Sequence, residues 1–493
     1  MNVWNFLADA ATKWPERTAL RCGREFTYAD TQNRAHNVAA LLRANGIEPG
    51  DRVACLMDND IDHLLAYFGI AAAGAILVSL NTRLTAGEQR DILAHSGSKL
   101  LLHDTGHAAR AAELGIATAT VADATACEFV ATPAATNEPA QLYYTSGTTG
   151  SPKGVVLTHE NVCTHALAAV KELELSERDT WAHIAPMFHL ADAWATFAIT
   201  AVGGCHVFLP HFTAQAALDL LCDERVTITN LVPTMLNLMV KEPGASDREY
   251  SLRVMLSGGA PIAPDVVKRI LTTFSCDYVQ TYGMTETSPY LTLSLLPPEL
   301  LPLPLEQQLH WKCKTGRPFS GVELRVVHDD GSAIAADGKA VGEIRVRGKT
   351  VTPGYWRNPE ATAAAFDGEG FLMTGDLATI DAYGFVDIVD RKKDVIKTGG
   401  ETVYSIEVEH VLYEHPAVLE CAVFGRPDEQ WGERVVAAVV VRNGQQVTSD
   451  ELIAFCRRHI AGYKTPKQIV FLAALPRTGS GKLQKRALRE APK

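Results

Sequence analysis

The chain has 493 residues, of which 47% are hydrophobic and 21% are charged, a composition typical of a globular protein with more than one domain. Its formal net charge of -11 and pI near 5.8 argue against a nucleic-acid-binding protein, because neutralising phosphates requires clustered Lys and Arg. The ten cysteines include no C-x-x-C pair and no Cys/His cluster at zinc-ligand spacing. They are interpreted as thiols of a reducing compartment.

The ends of the chain carry no targeting signal, so we expect a cytoplasmic protein. One segment, residues 64–80, is uncharged and nearly long enough to span a membrane. However, Gly69 and Gly74 interrupt it, and it ends in a short apolar run typical of a buried parallel strand. We predict a buried helix followed by a strand there, and no transmembrane segment.

Helical periods alternate with short apolar runs between residue 30 and about residue 280, at 52–57, 99–102, 226–228 and 252–256. This alternation predicts α/β layers with mainly parallel strands. From about residue 315 the apolar period changes to two, at 322–326 and 343–346, with a turn at 329–331. The second pattern predicts antiparallel hairpins and a small β-barrel-like subdomain.

The charged run DRKKD at 390–394 precedes a further change of pattern. A helix is predicted to begin near Ser405 and to end before Pro416, and a strand is predicted at 435–441. We place a domain boundary at the charged run. The predicted fold is a large multilayer α/β domain over 1–390 and a smaller α+β domain over 391–493.

The segment TSGTTGSPKG at 145–154 combines hydroxyls, glycines and one Lys after an apolar stretch. Such a loop can present backbone N–H groups, hydroxyls and an ammonium group to phosphate oxygens. It does not have Walker A spacing, because Pro152 stands where the second Gly should be. By composition alone, an ordinary surface turn explains the segment equally well.

The full string at 145–154 resembles the phosphate loop of the AMP-forming acyl-CoA synthetase, adenylation-domain and luciferase superfamily. Further signatures of that superfamily follow in order: SGGAP at 257–261, QTYGMTET at 280–287, GYW at 354–356, TGD at 374–376, DRKKD at 390–394, KTGGE at 397–401 and PRTGSGK at 476–482. The resemblance extends over essentially the whole chain.

The resemblance implies that the chain binds ATP and AMP. The residues at the corresponding positions are Thr145, Ser146, Gly147, Thr148, Thr149, Gly150, Lys153, Gly259, Ala260, Pro261, Gln280, Thr281, Tyr282, Gly283, Met284, Thr285, Asp376, Arg391 and Lys482. Glu286 and Thr145 are expected to hold Mg²⁺, for which a carboxylate is a suitable hard ligand. Asp376 is suited to accept hydrogen bonds from the ribose hydroxyls, and Arg391 can reach ribose or phosphate oxygens.

The expected catalytic residues are Lys482, Glu286 and Thr145. Of these, Lys482 supplies the positive charge. Negative charge develops as the acid attacks the α-phosphorus, and a positioned ammonium group stabilises it. A basic, solvated tail helix containing Lys485 and Arg486 is the alternative interpretation of this region.

The resemblance also implies a second half-reaction. The carboxyl-terminal domain would turn about Lys393 and bring Lys397, Gly399, Gly400 and Glu401 to the site, where coenzyme A accepts the acyl group. None of the chain's cysteines is needed as a nucleophile, because coenzyme A brings its own thiol.

The segment PMFHLADAW at 186–194, called the acid segment below, bears on which carboxylic acid is the substrate. His189 stands where amino-acid-activating relatives have Asp, which disfavours an α-amino acid, although Asp192 keeps that option open. An apolar pocket for an alkyl or aryl group is predicted from His189, Trp194, Val232 and Met284, with Pro233 and Pro289.

We therefore expect an AMP-forming carboxylate–CoA ligase, with a medium- to long-chain fatty acid favoured as its substrate. An aromatic acid–CoA ligase, or an amino-acid adenylation enzyme that loads a carrier protein, are the alternatives. A nucleotide-binding regulator is disfavoured, because the catalytic groups are all present, and luciferase-like oxidation would need a special substrate. Assembly as a homodimer is left open.

Overall fold

A computed structural model describes residues 1–132, 134–145, 152–477 and 483–491. The chain divides into two compact units. The first comprises Met1–Leu324, Val346–Leu372 and Tyr383–Val386, and the second comprises Arg325–Arg345, Met373–Ala382 and Asp387–Lys493. Within the described ranges, the helices are all too short or too polar to cross a membrane. The boundary expected at residue 391 stays a prediction.

The helices of the described residues are α1 Val3–Lys13, α2 Tyr28–Ala44, α3 Ile61–Ala72, α4 Ala86–Ser96, α5 Ala108–Glu113, α6 His159–Glu172, α7 Leu190–Val202, α8 Ala214–Asp223, α9 Pro233–Met239, α10 Pro264–Phe274, α11 Leu305–Lys312, α12 Pro359–Ala365, α13 Ser405–Tyr413, α14 Ser449–His459 and α15 Lys485–Glu490. Short 3₁₀ turns occur at Thr105–His107, Val121–Asp123, Ala245–Asp247 and Thr285–Thr287.

The strands are β1 Thr18–Arg21, β2 Glu25–Thr27, β3 Arg52–Leu56, β4 Ile76–Ser79, β5 Ser98–His103, β6 Thr118–Thr120, β7 Pro139–Thr145, β8 Lys153–Thr158, β9 Thr180–His183, β10 Cys205–Phe208, β11 Ile228–Leu231, β12 Val254–Gly258, β13 Asp277–Gly283, β14 Tyr290–Leu293, β15 Arg317–Pro318, β16 Val322–Val327, β17 Gly342–Gly348, β18 Leu372–Ile380, β19 Val386–Arg391, β20 Ile396–Thr398, β21 Glu401–Val403, β22 Val418–Asp428, β23 Gly432–Val441 and β24 Gln468–Phe471.

Two mainly parallel sheets form the frame of the first unit. The six-stranded sheet has the order β6-β5-β3-β4-β7-β8, with only β8 antiparallel to its neighbour. The nine-stranded sheet has the order β15-β14-β13-β12-β11-β9-β10-β1-β2, with antiparallel pairs at its two edges. Mainly parallel strands are thus confirmed. The apolar run at 226–228 lies mostly ahead of β11, because the Val226 N–H instead donates to Leu221 O at the end of α8.

The main hydrophobic core combines residues of both sheets with α1, α3 and α7. Helix α3 is buried on every side, which explains why residues 64–80 are almost uniformly apolar. The prediction of a buried helix and strand there is confirmed by α3 and β4. Phe197 of α7 packs edge-on against Tyr67 and Phe68 of α3, so the helix that follows the acid segment packs against the first half of the chain.

The second unit contains a five-stranded sheet of order β21-β20-β23-β22, with β24 paired to β23. Helix α13 and strand β23 confirm the helix predicted near Ser405 and the strand predicted at 435–441. A separate four-stranded sheet has the order β16-β17-β18-β19. No sheet of the described residues closes into a barrel, so the predicted β-barrel-like subdomain is an open sheet.

Candidate active site

The predicted phosphate loop joins two adjacent antiparallel strands. Strand β7 ends at Thr145 and β8 begins at Lys153, and these two residues are paired across the hairpin. The base of the loop is therefore closed by strand pairing, which holds the first hydroxyl and the Lys of the motif beside each other. The predicted nucleotide contacts at 146–150 lie outside the described residues.

A segment from far along the chain attaches to this hairpin. The Trp356 N–H donates to Gly154 O at 2.7 Å, which places Tyr355 beside the loop. The Lys153 ammonium lies 5.0 Å from the centre of the Tyr355 ring, and the Tyr355 hydroxyl donates to Glu286 Oε1 at 3.0 Å. Tyr355 thus links the phosphate-loop hairpin to the predicted metal ligand. Its motif is evident in the sequence, but its role is not.

Glu286 is only 7% exposed and lies on the 3₁₀ turn Thr285–Thr287. Burial, and then the nearby Glu286 carboxylate, raise the pKa of Tyr355, so its hydroxyl stays protonated and donates to that carboxylate. Glu286 and Thr145 offer hard oxygen ligands of the kind that Mg²⁺ prefers. Because Mg²⁺ usually keeps several waters and binds substrate phosphates, two protein ligands fit such a site.

The predicted adenine-side turn follows β12 and is held by its neighbour β13. Gln280 Nε2 donates to Ala260 O at 3.0 Å, and Thr281 Oγ1 donates to Ser257 O at 3.1 Å. Gly259 has a φ of +84°, a left-handed conformation that favours glycine. The turn 259–261 is therefore tied to the strand that leads directly to Glu286.

The segment between β13 and Glu286 depends on one glycine. A Cβ on Gly283 would lie 1.9 Å from Pro289 O, a separation that no side chain can occupy. Met284 N–H donates to the same Pro289 oxygen at 3.0 Å. Tyr282, Met284 and Thr285 are half-buried in this tight turn.

One cavity brings three of these regions together. Its walls include Tyr143 and Tyr144 of β7, Phe188 and His189 of the acid segment, and Thr285 beside Glu286. The strand that enters the phosphate loop, the predicted acid segment and the turn that carries the metal ligand therefore meet at one place. This agrees with a site at which a carboxylate reacts with a nucleotide phosphate.

The predicted acid-pocket residues differ in their exposure. His189 is half-buried and immediately precedes α7. Trp194 is 1% exposed and packs in an aromatic cluster with His165, Trp181 and Tyr290. Contact between Trp194 and an acid stays a prediction.

Val232 immediately precedes α9 and is exposed. Its side chain is near the adenine-side turn, with Cγ1 3.8 Å from where a Cβ on Gly259 would be. Its assignment to the acid pocket likewise stays a prediction.

Asp192 faces the protein interior. It is 0% exposed, Trp181 Nε1 donates to its Oδ1 at 3.2 Å, and His183 Nδ1 lies 2.5 Å from its Oδ2. On its other side His183 contacts His206, with Nε2 and Nδ1 3.0 Å apart. Asp192 thus bonds the start of α7 to β9, a structural role that no sequence pattern predicted.

We expect Asp192→Ala to lower the free energy of unfolding by about 2–4 kcal/mol, because buried N–H groups of Trp181 and His183 lose their acceptor. Asp219→Ala is the control, since Asp219 pairs with Arg248 at the surface, and its loss is expected to stay below about 1 kcal/mol. Urea unfolding of the full chain measures both. Equal losses would contradict the structural role given to Asp192.

Asp376 and Arg391 lie together in the second unit. Arg391 Nε is 3.3 Å from Asp376 Oδ1, and the Asp376 N–H donates to Thr374 Oγ1 at 3.1 Å. Asp376 is buried, whereas Arg391 is exposed. These two predicted nucleotide-binding residues thus form an ion pair with each other.

Lys393 lies between two anchored neighbours. Lys392 forms an ion pair with Glu343 at 3.2 Å, and Asp394 forms one with Arg489 at 3.0 Å. Partial desolvation by surrounding protein atoms, and then the nearby Arg391 cation, lower the pKa of Lys393. Backbone rotation between fixed neighbours is what a hinge residue requires.

The segment 397–401 is a β-hairpin formed by β20 and β21. Lys397 pairs with Thr402, and Gly399 and Gly400 have φ values of +59° and +84°, as a two-residue hairpin turn requires. Trp431 packs against this turn, with its carbonyl accepting the Gly399 N–H at 2.8 Å. The sequence reasoning missed Trp431. Lys482 lies outside the described residues.

Family models match both parts of the chain. The model described as AMP-binding enzyme matches residues 7–356, and the model described as AMP-binding enzyme C-terminal domain matches residues 407–482. The chain belongs to the family of AMP-binding enzymes. The superfamily resemblance drawn from the motifs is confirmed, and so is the mixed α/β fold expected with it.

Several known proteins are similar to this chain over nearly its whole length. A long-chain-fatty-acid–CoA ligase of Thermus thermophilus is 38% identical over 99% of this chain and 95% of its own. A feruloyl-CoA synthase of Amycolatopsis is also 38% identical, over 96% of each chain. The o-succinylbenzoate CoA synthetase of Bacillus subtilis, solved with its acyl-adenylate intermediate, has a TM-score of 0.90 at 32% identity and covers 100% of this chain and 99% of its own. The same enzyme was also solved with ATP and magnesium ion.

Proposed function

We propose that this AMP-binding enzyme is a ligase that joins a hydrophobic carboxylic acid to coenzyme A. In the first step a carboxylate oxygen attacks the α-phosphorus of ATP, the bond to pyrophosphate breaks, and acyl-AMP forms. In the second step the thiol of coenzyme A attacks the acyl carbon, loses its proton, and releases AMP. A medium- to long-chain fatty acid is the proposed substrate.

The first step is proposed to use groups of the first unit together with Lys482 from the carboxyl-terminal part of the chain. Glu286 and Thr145 would hold a Mg²⁺ that neutralises charge on the ATP phosphates. Lys153 lies at the base of the loop, where its ammonium group can contact phosphate oxygen. Tyr355 keeps the Glu286 carboxylate in place through its hydrogen bond. Lys482 is proposed to stabilise the charge that develops as pyrophosphate leaves.

The second step is assigned to the carboxyl-terminal part of the chain. Lys393 is proposed as the hinge, since its anchored neighbours confine rotation to a short stretch of backbone. The rotation would withdraw Lys482 and bring Lys397, Gly399, Gly400 and Glu401 towards the acyl-adenylate.

The burial of Asp192 is the observation that favours an acid without an amino group. An amino-acid substrate needs a carboxylate that can pair with its ammonium group, and the nearby Asp192 is instead directed into the core. His189, which is half-buried, lines the cavity in its place. This arrangement supports a carboxylic acid whose remaining part is an uncharged hydrocarbon group.

An aromatic acid is the second candidate. The feruloyl-CoA synthase and the long-chain-fatty-acid–CoA ligase are equally identical to this chain. The rings of Tyr143, Tyr144 and Phe188 line the same cavity as His189 and offer contacts to a planar substrate.

A screen of acids tests this proposal. Purified protein is given ATP, Mg²⁺ and coenzyme A with fatty acids of increasing chain length, benzoate, ferulate and several amino acids, and thioester is measured by mass spectrometry. We expect the highest kcat/KM for fatty acids. Pyrophosphate release without thioester would contradict coenzyme A as the acceptor, and a preference for amino acids would contradict the account of Asp192.

A further inference from the structure

Residues 184–189, the part of the acid segment and its approach that lies between β9 and α7, belong to no sheet within the described part of the chain. Met187 and Phe188 are nevertheless buried. Buried backbone N–H and C=O groups need hydrogen-bond partners. The Ile184 N–H donates to Ala182 O and the His189 N–H donates to Pro186 O, whereas other groups of this stretch are paired with side chains. All of those described below come from the β3-α3-β4 region of the six-stranded sheet.

Asn59, which follows β3, supplies most of these bonds. Its Nδ2 donates to His183 O at 3.0 Å and to Ala185 O at 2.8 Å. Its Oδ1 accepts the Met187 N–H at 2.7 Å. One side-chain amide, only 4% exposed, thus bonds to the last residue of β9 and to two backbone groups of residues 184–189.

Two hydroxyls extend the same contact towards His189. The Tyr67 hydroxyl of α3 donates to Met187 O at 2.7 Å. Ser79, at the end of β4, donates to Phe188 O at 3.1 Å. The backbone is therefore fixed up to the residue that precedes His189.

The clamp of Asn59, Tyr67 and Ser79 also reaches the nucleotide side. The Tyr67 hydroxyl lies 3.0 Å from the Tyr143 hydroxyl, and Tyr143 is on β7, which ends at Thr145. Since Tyr67 contacts both Met187 and Tyr143, it connects the acid segment to the strand that enters the phosphate loop.

We infer that Asn59, Tyr67 and Ser79 are positioning residues that set the place of His189, and hence of the bound acid, relative to the phosphate loop. This inference rests on the proposed function for the identity of the acid. These residues act through the backbone of the acid segment and not by contact with the reacting atoms. Removing a hydrogen bond of the clamp should raise the KM for the acid and change the preference for acid chain length. The KM for ATP should change less.

Tyr67→Phe tests the clamp because it removes one hydroxyl and keeps the ring. We expect the KM for the acid to rise about fivefold, the amount that one hydrogen bond is typically worth, with the KM for ATP changed less than about twofold. Ser79→Ala, which removes the next hydroxyl, should act in the same direction. Tyr28→Phe is the matched control, since the buried Tyr28 hydroxyl also donates to a backbone carbonyl, Gly204 O, at 2.7 Å.

Hydrogen exchange of residues 184–189 provides a readout that needs no substrate. Asn59→Ala should accelerate exchange of the Met187 amide, whereas Tyr28→Phe should not. If no acid is turned over by the wild type, the proposed function fails, while this exchange measurement still tests the clamp. Equal effects of Tyr67→Phe and Tyr28→Phe on the acid KM, or unchanged exchange in Asn59→Ala, would overturn the inference.

Discussion

Glu286→Gln is expected to lower the rate of acyl-adenylate formation by about 100- to 1000-fold, a range typical of losing one group that stabilises transition-state charge. The amide keeps the size of the side chain and can still accept the hydrogen bond from Tyr355. It lacks the negative charge that makes Glu286 a good ligand for Mg²⁺. ATP–pyrophosphate exchange measures this step, and its dependence on Mg²⁺ concentration should shift to higher values.

Tyr355→Phe is the matched comparison for Glu286→Gln. It retains the carboxylate and removes the hydroxyl that orients it, so we expect a loss of about tenfold or less. A Glu286→Gln variant with near wild-type exchange and an unchanged Mg²⁺ dependence would show that Glu286 is not the metal ligand. Equal losses in the two variants would assign Glu286 a purely structural role.

Lys482→Ala is expected to reduce acyl-adenylate formation by about 100- to 1000-fold, while thioester formation from supplied acyl-adenylate changes much less. The reason is that the developing charge on the phosphates exists only in the first half-reaction. Single-turnover assays of the two half-reactions separate these effects.

Arg486→Ala is the control for Lys482→Ala. Arg486 is an exposed cation four residues further on, paired with Glu490. If the region were only a basic, solvated tail, both substitutions would have similar small effects. Equal losses in both half-reactions of Lys482→Ala would contradict the proposed division of work between the two steps.

The sequence predicted the layers of the fold because each layer leaves a local pattern. The apolar stretch at 64–80 became α3 and β4, and the period-two patterns near 322 and 343 fall in β16 and β17. Sequence motifs singled out Glu286, Asp376 and Arg391 as candidate site residues. The structure places Asp376 and Arg391 side by side.

Contacts between distant residues could not be predicted in this way. Asn59 and Met187 are 128 residues apart, and Tyr355 and Glu286 are 69 residues apart. Asp192 is in a predicted substrate segment, yet its carboxylate is directed to His183 and the core. Periodicity places a residue on a face of its own element, but the opposing element is set by the packing of the whole unit.

The most direct test of the proposed chemistry follows oxygen atoms. Protein, ATP, Mg²⁺ and coenzyme A are incubated with the preferred acid labelled with ¹⁸O in both carboxylate oxygens, and the nucleotide product is analysed by mass spectrometry. If the acid is activated as its adenylate, each AMP released with acyl-CoA carries one ¹⁸O atom from the acid. Label in inorganic phosphate with ADP as the nucleotide product, or AMP without label, would contradict the mechanism proposed for this enzyme.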